Sequence, residues 1–164
     1  MTDHTEAPGP TVDPDDSERI DALSLEVWTN FLEAHTRLMR LLERDLKSWH
    51  GITLAEYDVL HRLEQAADTP LRMSTLAQAL LYTTGGLTRL IDRMQDRDLI
   101  ERTASASDRR VTYVVLTSKG RATLRQVAGT HLRGLQRHFG RHLKAEEAEA
   151  VSAFMHRLAH IGQP

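Results

Sequence analysis

The run Thr83-Thr84-Gly85-Gly86-Leu87-Thr88-Arg89-Leu90-Ile91-Asp92-Arg93-Met94 gathers residue types that can read nucleic-acid bases by their edges. Wound at about 3.6 residues per turn, it places Leu87, Leu90, Ile91 and Met94 on one face, which must meet a core. Gly85, Thr88, Arg89, Asp92 and Arg93 occupy the opposite face. The guanidinium of Arg89 is a planar fork that matches guanine O6/N7, and Thr88 offers a hydroxyl, or a methyl suited to thymine. Thr83 or Thr84 can cap such a helix. The polar first half, with Thr83, Thr84, Gly85, Gly86, Thr88 and Arg89, is the part of a recognition helix that touches bases, and its positive end favours a phosphate. Each glycine weakens a helix by about 1 kcal/mol relative to alanine. Their pairing at 85 and 86 therefore asks for a steric reason, which close approach to DNA supplies.

Asp108-Arg109-Arg110 ends a stretch of small residues further on. A guanidinium there suits a narrow, strongly negative minor groove. Asp108 can hold one arginine in place by a charge-assisted bond. Taken alone, such a tip is as well read as a solvated hairpin; a reading helix directly upstream tips the balance toward DNA.

The elements that must position these residues follow from periodicity and caps. A long helix over about 20–49 carries Leu25, Trp28, Leu32, His35, Met39, Leu42, Leu46 and Trp49 at alternating spacings of three and four, with Gly51 just past its end. Thr53-x-x-Glu56 is a capping box opening a second helix that turns Leu54, Tyr57, Leu60 and Leu63 inward. Pro70 blocks continuation, and Leu71-Arg72-Met73 reads as a short extended piece. Ser74 can cap a helix over 75–81, and a turn at Tyr82 leads to the reading helix at 84–97, a helix-turn-helix. Leu99–Thr103 and Val111–Leu116 read as paired strands around a wing at 104–110. Long helices follow from Thr117 to about 139 and from about 145 to 161, the last with Val151, Phe154, Met155, Leu158 and Ile161 on one stripe. The expected fold is mainly α with a small β wing, in the order α-α-β-α-α-β-β-α-α.

Charge supports the reading. The whole chain of 164 residues carries a formal −2, but residues 1–18 hold six acids and no lysine or arginine. Without them the balance is 21 basic against 17 acidic residues, and residues 72–125 alone carry ten basic and five acidic. The positive charge lies where phosphates would be met. Residues 1–18 also hold Pro8, Pro10 and Pro14 outside any apolar periodicity and read as a disordered acidic tail. Residues 19–164 read as one domain, with a winged helix-turn-helix core at about 53–117 and flanking helices at about 20–49 and 118–161. No apolar run approaches a membrane span or a signal-peptide core, which points to the cytoplasm. The absence of cysteine excludes disulfides and thiol-based redox sensing.

Four separated segments, in order, carry a resemblance. Gly86-Leu87-Thr88-Arg89-Leu90-Ile91-Asp92-Arg93-Met94, Asp98-Leu99-Ile100-Glu101-Arg102, Asp108-Arg109-Arg110 and Leu116-Thr117-Ser118-Lys119-Gly120 resemble the MarR family of bacterial transcriptional regulators. The likeness runs from about 25 to 161, and residues 25–94 are most similar to members from high-GC actinobacteria. It implies a homodimeric winged-helix regulator whose N- and C-terminal helices interleave, bound to double-stranded DNA at a pseudo-palindromic operator, commonly as a repressor. By motif position, Thr84, Thr88 and Arg89 carry over to major-groove and phosphate contacts. Asp108 and Arg110 carry over to the wing's structural pair, and Arg109 or Arg110 to minor-groove insertion. Lys144-Ala145 replaces the family's usual cap and proline, so the last helix should start less sharply.

Members of the family often bind a small aromatic anion in the crevice between dimerisation helices and reading lobe. Here that crevice would be lined by Trp28, His35, Trp49, Tyr57 and Asp58, with Arg89 nearby, although the same aromatic residues on amphipathic helices also read as core. His138/His142 and His156/His160 share the i,i+4 spacing of a zinc pair, but a third ligand is not evident, and no metal or cofactor is expected. There is no phosphate loop, nucleophile elbow or catalytic carboxylate cluster, so an enzyme is not expected. The competing reading is a winged helix used for protein–protein contact without DNA. Arg89, Arg93, Arg109 and Arg110 argue against it.

Overall fold

The computed structural model describes residues 20–67, 69–104 and 111–162, so Asp108, Arg109, Arg110 and the acidic tail lie outside the described residues. The chain forms two compact units that divide inside the first helix, after His35. The elements are α1 (Ala22–His50), α2 (Leu54–Gln65), β1 (Leu71–Arg72), α3 (Met73–Ala79), α4 (Thr84–Asp96), β2 (Ile100–Ala104), β3 (Thr112–Leu116), α5 (Ser118–His138), a 3-10 turn (Gly140–His142) and α6 (Ala145–Ala159). The order expected from the sequence is the order observed.

The first unit contributes the start of α1. Asp21 closes its first turn by accepting from the Ser24 N–H at 2.9 Å. Trp28, Phe31 and His35, spaced three and four apart, stack along one side with ring centroids 6.0 and 6.2 Å apart. Leu23, Leu25, Val27, Trp28 and Leu32 are all exposed.

In the second unit the capping box forms as expected. The Glu56 N–H donates to Thr53 Oγ1 at 3.1 Å, and the Thr53 N–H donates back to Glu56 Oε2 at 2.8 Å. Gly51 adopts φ +62° beyond α1, where a side chain would be strained. The core is drawn from every layer: Leu46 of α1, Val59 and Leu60 of α2, Leu76 of α3, Leu87, Ile91 and Met94 of α4, Ile100 and Val114 of the sheet, and Val127 of α5. The strands pair antiparallel in the order β1-β3-β2, with Leu71 opposite Val114 and Arg102 opposite Val114 on its other edge.

Two expectations change. α3 starts at Met73 and ends at Ala79, not 75–81, and Ser74 does not cap it; Arg72 stands at the N-cap without a side-chain bond. The reason is β1, whose pairing with β3 carries the chain straight from strand into helix. Lys144 at the start of α6 has no acceptor to offer the helix, as its sequence suggested. That end is closed from the other direction, by the Glu147 carboxylate accepting from the Lys144 N–H at 3.3 Å.

Candidate nucleic-acid interface

The helix α4 is built as its pattern demands. Leu87, Leu90, Ile91 and Met94 are buried, whereas Gly85, Gly86, Thr88, Arg89, Asp92 and Arg93 are exposed. The N-cap is Thr83, whose Oγ1 accepts from the Gly86 N–H at 3.2 Å, and Thr84 is the first helical residue. Thr83 therefore serves the helix end itself. The two glycines differ. A Cβ on Gly86 would sit 3.1 Å from Thr83 Oγ1, within the cap, while a Cβ on Gly85 would meet nothing within 4 Å. Among the described residues nothing asks for glycine at 85, which leaves room for a steric demand from outside the chain.

Arg89 and Arg93 are exposed cations, and among the described residues neither joins an ion pair. Asp92 behaves differently. Arg102 of β2 donates to Asp92 Oδ1 at 2.5 Å and to the Thr88 carbonyl at 3.3 Å. Strand β2 thus fixes the exposed face of α4 in rotation and neutralises one of its two carboxylates, Asp92, which would otherwise repel phosphate. Sequence reasoning missed this role for Arg102, because no spacing rule joins a helix to the strand after it.

The far end of α4 is anchored too. Arg97 donates to Glu56 Oε1 at 2.8 Å and to the Gly51 carbonyl at 3.2 Å, tying α4 to the start of α2 around a carboxylate that is only 5% exposed. Asp98 takes φ +59°, and its carbonyl accepts from Thr117 Oγ1 at 2.7 Å, while Thr117 Oγ1 in turn accepts from the Gly120 N–H at 2.9 Å to cap α5. Gly120 has a firm reason to be glycine: a Cβ would lie 2.0 Å from the Leu99 carbonyl oxygen. Three of the segments that resemble the family, 86–94, 98–102 and 116–120, thus help to lock helix, strand and α5 together.

Between α3, α4 and the strands runs a groove of about 550 Å³, lined by Arg72, Met73, Ser74, Thr88, Arg102, Val111 and Thr112. It continues the cationic, hydroxyl-bearing side of α4 toward Val111 and Thr112 at the start of β3.

The residues expected to hold an effector divide between the two units of the chain. Trp28 and His35 belong to the first unit. Trp49 is 76% exposed, and Tyr57 is buried in the core of the second. Tyr57 packs on His131 of α5 with centroids 4.3 Å apart and stacks on His61 at 5.7 Å. Burial pushes the Tyr57 phenol up, helped by the neighbouring Asp58 charge, and pushes the Asp58 carboxyl up against the pull of His61. Burial, then His61, holds the His131 imidazole below its ordinary value. The Nδ1 of His131 is buried and, among the described residues, has no hydrogen-bond partner. Of the paired histidines, His138 binds Asp45 at 2.8 Å, and His156 and His160 stack on each other.

A helix-turn-helix with an exposed cationic reading helix, backed by an antiparallel wing sheet, defines a DNA-binding protein of the winged-helix class. A MarR family sequence model matches residues 50–111. The HTH-type transcriptional regulator MhqR of Bacillus subtilis is 29% identical over 66% of this chain and 73% of its own length. The HTH-type regulator YhbI of the same organism is 32% identical over 69% of this chain and 71% of its own. AbsC, a MarR family transcriptional regulator from Streptomyces coelicolor, shares the fold with a TM-score of 0.80 at 30% identity, over 88% of this chain and 97% of AbsC. Sco3205 of the same organism, a MarR family regulator solved in complex with DNA, gives 0.84 at 27% identity over 92% and 94%. The chain belongs to the MarR family and is a transcriptional regulator. These Streptomyces structures bear out its likeness to actinobacterial members, and the relatives named are regulators, not enzymes.

Proposed function

We propose that this protein is a homodimeric repressor that grips a pseudo-palindromic operator, with α4 of each copy in the major groove and the 104–110 wing in the flanking minor groove. The observation that carries this is the split of α4 into a fully buried apolar face and an exposed face bearing Thr88, Arg89 and Arg93. Arg89 reads a guanine edge, Thr88 a neighbouring base or phosphate, and Arg93 a phosphate. Thr83, Thr84 and Gly86 bring the positive helix end to the backbone. Asp108 positions the wing, and Arg109 or Arg110 enters the minor groove. A dimer sets two such helices about one DNA turn apart, roughly 34–36 Å. The domain plan is a single regulator core on residues 19–164, preceded by the acidic tail.

The test is binding of duplexes recovered from a random-sequence library by the purified protein. Arg89→Ala should cost about 1–3 kcal/mol and relax preference at one position per half-site. Equal losses on every sequence would demote Arg89 to a phosphate contact. Arg109→Ala with Arg110→Ala should weaken binding and flatten its salt dependence while leaving the dimer intact; an unchanged salt titration would remove the wing from the interface.

The unpartnered His131 Nδ1 beside Tyr57 and Asp58 supports a second, subordinate reading. In it, a small aromatic or anionic effector acts at the seam of α2 and α5 and alters the spacing of the two reading helices. Aromatic carboxylic acids should then raise the melting temperature of the wild type and not of His131→Phe; equal shifts would sink it.

A further inference from the structure

The turn between α3 and α4 breaks a local rule at one residue. The Tyr82 N–H donates to the Ala77 carbonyl at 3.0 Å and the Leu81 N–H to the Gln78 carbonyl at 3.3 Å. This nested pair is the Schellman motif, whose closing residue is left-handed and most often glycine. Here it is Leu81, at φ +55°. A Cβ is unfavourable in that region, and leucine has no side-chain polar group to offset it. Packing does not offset it either, since Leu81 is 94% exposed. Among the described residues, two other non-glycine residues share the conformation. Ala67 is small, and Asp98 is of a type that tolerates it and is held by Thr117. Leu81 has neither explanation.

We infer that Leu81 is a specificity-determining residue for DNA, making an apolar contact with a thymine C5-methyl at the edge of the half-site read by α4. The inference rests on the reading of α4 as the recognition helix. Leu81 stands three residues before Thr84, at the end of the helix that meets base edges. Its neighbour Tyr82 is 37% exposed, and burial, then the carboxylates of Asp58 and Glu43, push its phenol up. Leu81 is thus the more open of two consecutive side chains of the turn. On the outside, the thymine methyl is the apolar group that the major groove offers a leucine. An exposed leucine gains nothing until such a surface covers it, and a strained conformation held by its surroundings is a mark of a binding site.

Duplexes selected from a random-sequence library by the full chain supply the probe. Leu81→Gly and Leu81→Asn remove the side chain yet suit the left-handed backbone, and Arg89→Ala serves as reference. Both Leu81 variants should melt at or above the wild-type temperature while binding the selected duplex about tenfold more weakly. They should also stop responding to deoxyuridine in place of one thymine per half-site, a replacement that weakens the wild type by a similar factor. Unchanged affinity in Leu81→Gly, with weakened binding in Arg89→Ala, overturns the inference and leaves the recognition helix standing. Equal sensitivity of wild type and Leu81→Gly to the thymine replacement also overturns it, because another group must then meet the methyl. Failure of the wild type to select any duplex removes the recognition-helix reading itself, and this inference with it.

Discussion

The same kind of amphipathic helix meets two fates in this molecule. In the lobe from α2 to β3, apolar stripes are used up within one chain, and Leu60, Leu87, Ile91 and Val114 have no accessible surface. On the start of α1 and on α6 with the turn after it, equally regular stripes stay open: Leu25, Trp28 and Leu32, then Phe154, Met155 and Ile161, are exposed. Sequence spacing does not distinguish the two cases. On the proposed dimer, the reading lobe is complete in one copy, whereas the flanking helices are left to be covered. Exposed large apolar residues at helical spacing are what a second copy covers.

The largest effect should come from spoiling the open stripes. Trp28→Glu with Leu32→Glu should halve the mass seen by sedimentation and lower operator affinity by about 10²–10⁴-fold, because each half-site then binds alone. A dimer of undiminished stability would show that the start of α1 is not the interface. Next come changes that strike the closed lobe. Gly120→Ala drives a Cβ to 2.0 Å from the Leu99 carbonyl oxygen, a backbone collision that should cost about 3 kcal/mol. Thermal melting checks it, and a loss well below that would mean that α5 can slide away from Leu99. Arg97→Ala leaves the buried Glu56 carboxylate without its counter-charge. Arg97 itself is 42% exposed, so a loss of about 2 kcal/mol is expected, below the range for a fully buried pair.

What could be read from residues alone follows the same division. The faces of α4, the Thr53-Glu56 capping box and the element order are local, set by neighbours within one or two turns, and they were legible. The clamp of Arg102 on Asp92, the tie of Arg97 to Glu56 and the contact of Gly120 with Leu99 join different elements, and only the fold brings them together. β1 was legible as an extended piece, but its pairing with β3 moved the start of α3 away from Ser74. Leu81 was illegible for another reason: leucine gives no sign of a left-handed backbone. Between Thr83 and Thr84 as cap, the sequence offered no choice; the bond from Gly86 makes it.

A smaller effect separates the reading surface from the lobe that carries it. Gly85→Ala meets nothing within 4 Å, so helix propensity should raise stability by about 1 kcal/mol. If DNA is what asks for glycine there, operator affinity should fall as stability rises. A variant that gains stability and binds as well as the wild type would break that argument and leave Gly85 without a reason.

The finest test lies at the seam of α2 and α5, where the closed lobe joins a flanking helix. His131 faces Tyr57, and His61 and Asp58 act on the same cluster. Burial holds the folded imidazole below its ordinary value of 6.5, so the unfolded chain binds the proton first as pH falls. His131 should therefore withdraw stability as pH drops through about 6.5 toward its lowered folded value. Asp58 acts with the opposite sign. Its raised carboxyl keeps a proton that the unfolded chain has already lost, so its contribution falls as pH rises from its ordinary value of 3.8 to the folded one. Replacing the imidazole by a ring of similar shape isolates the first effect. His131→Phe should lose less stability than the wild type between about pH 7 and about pH 5, while keeping the contact with Tyr57. Parallel losses in the two proteins would place the acid sensitivity outside this seam.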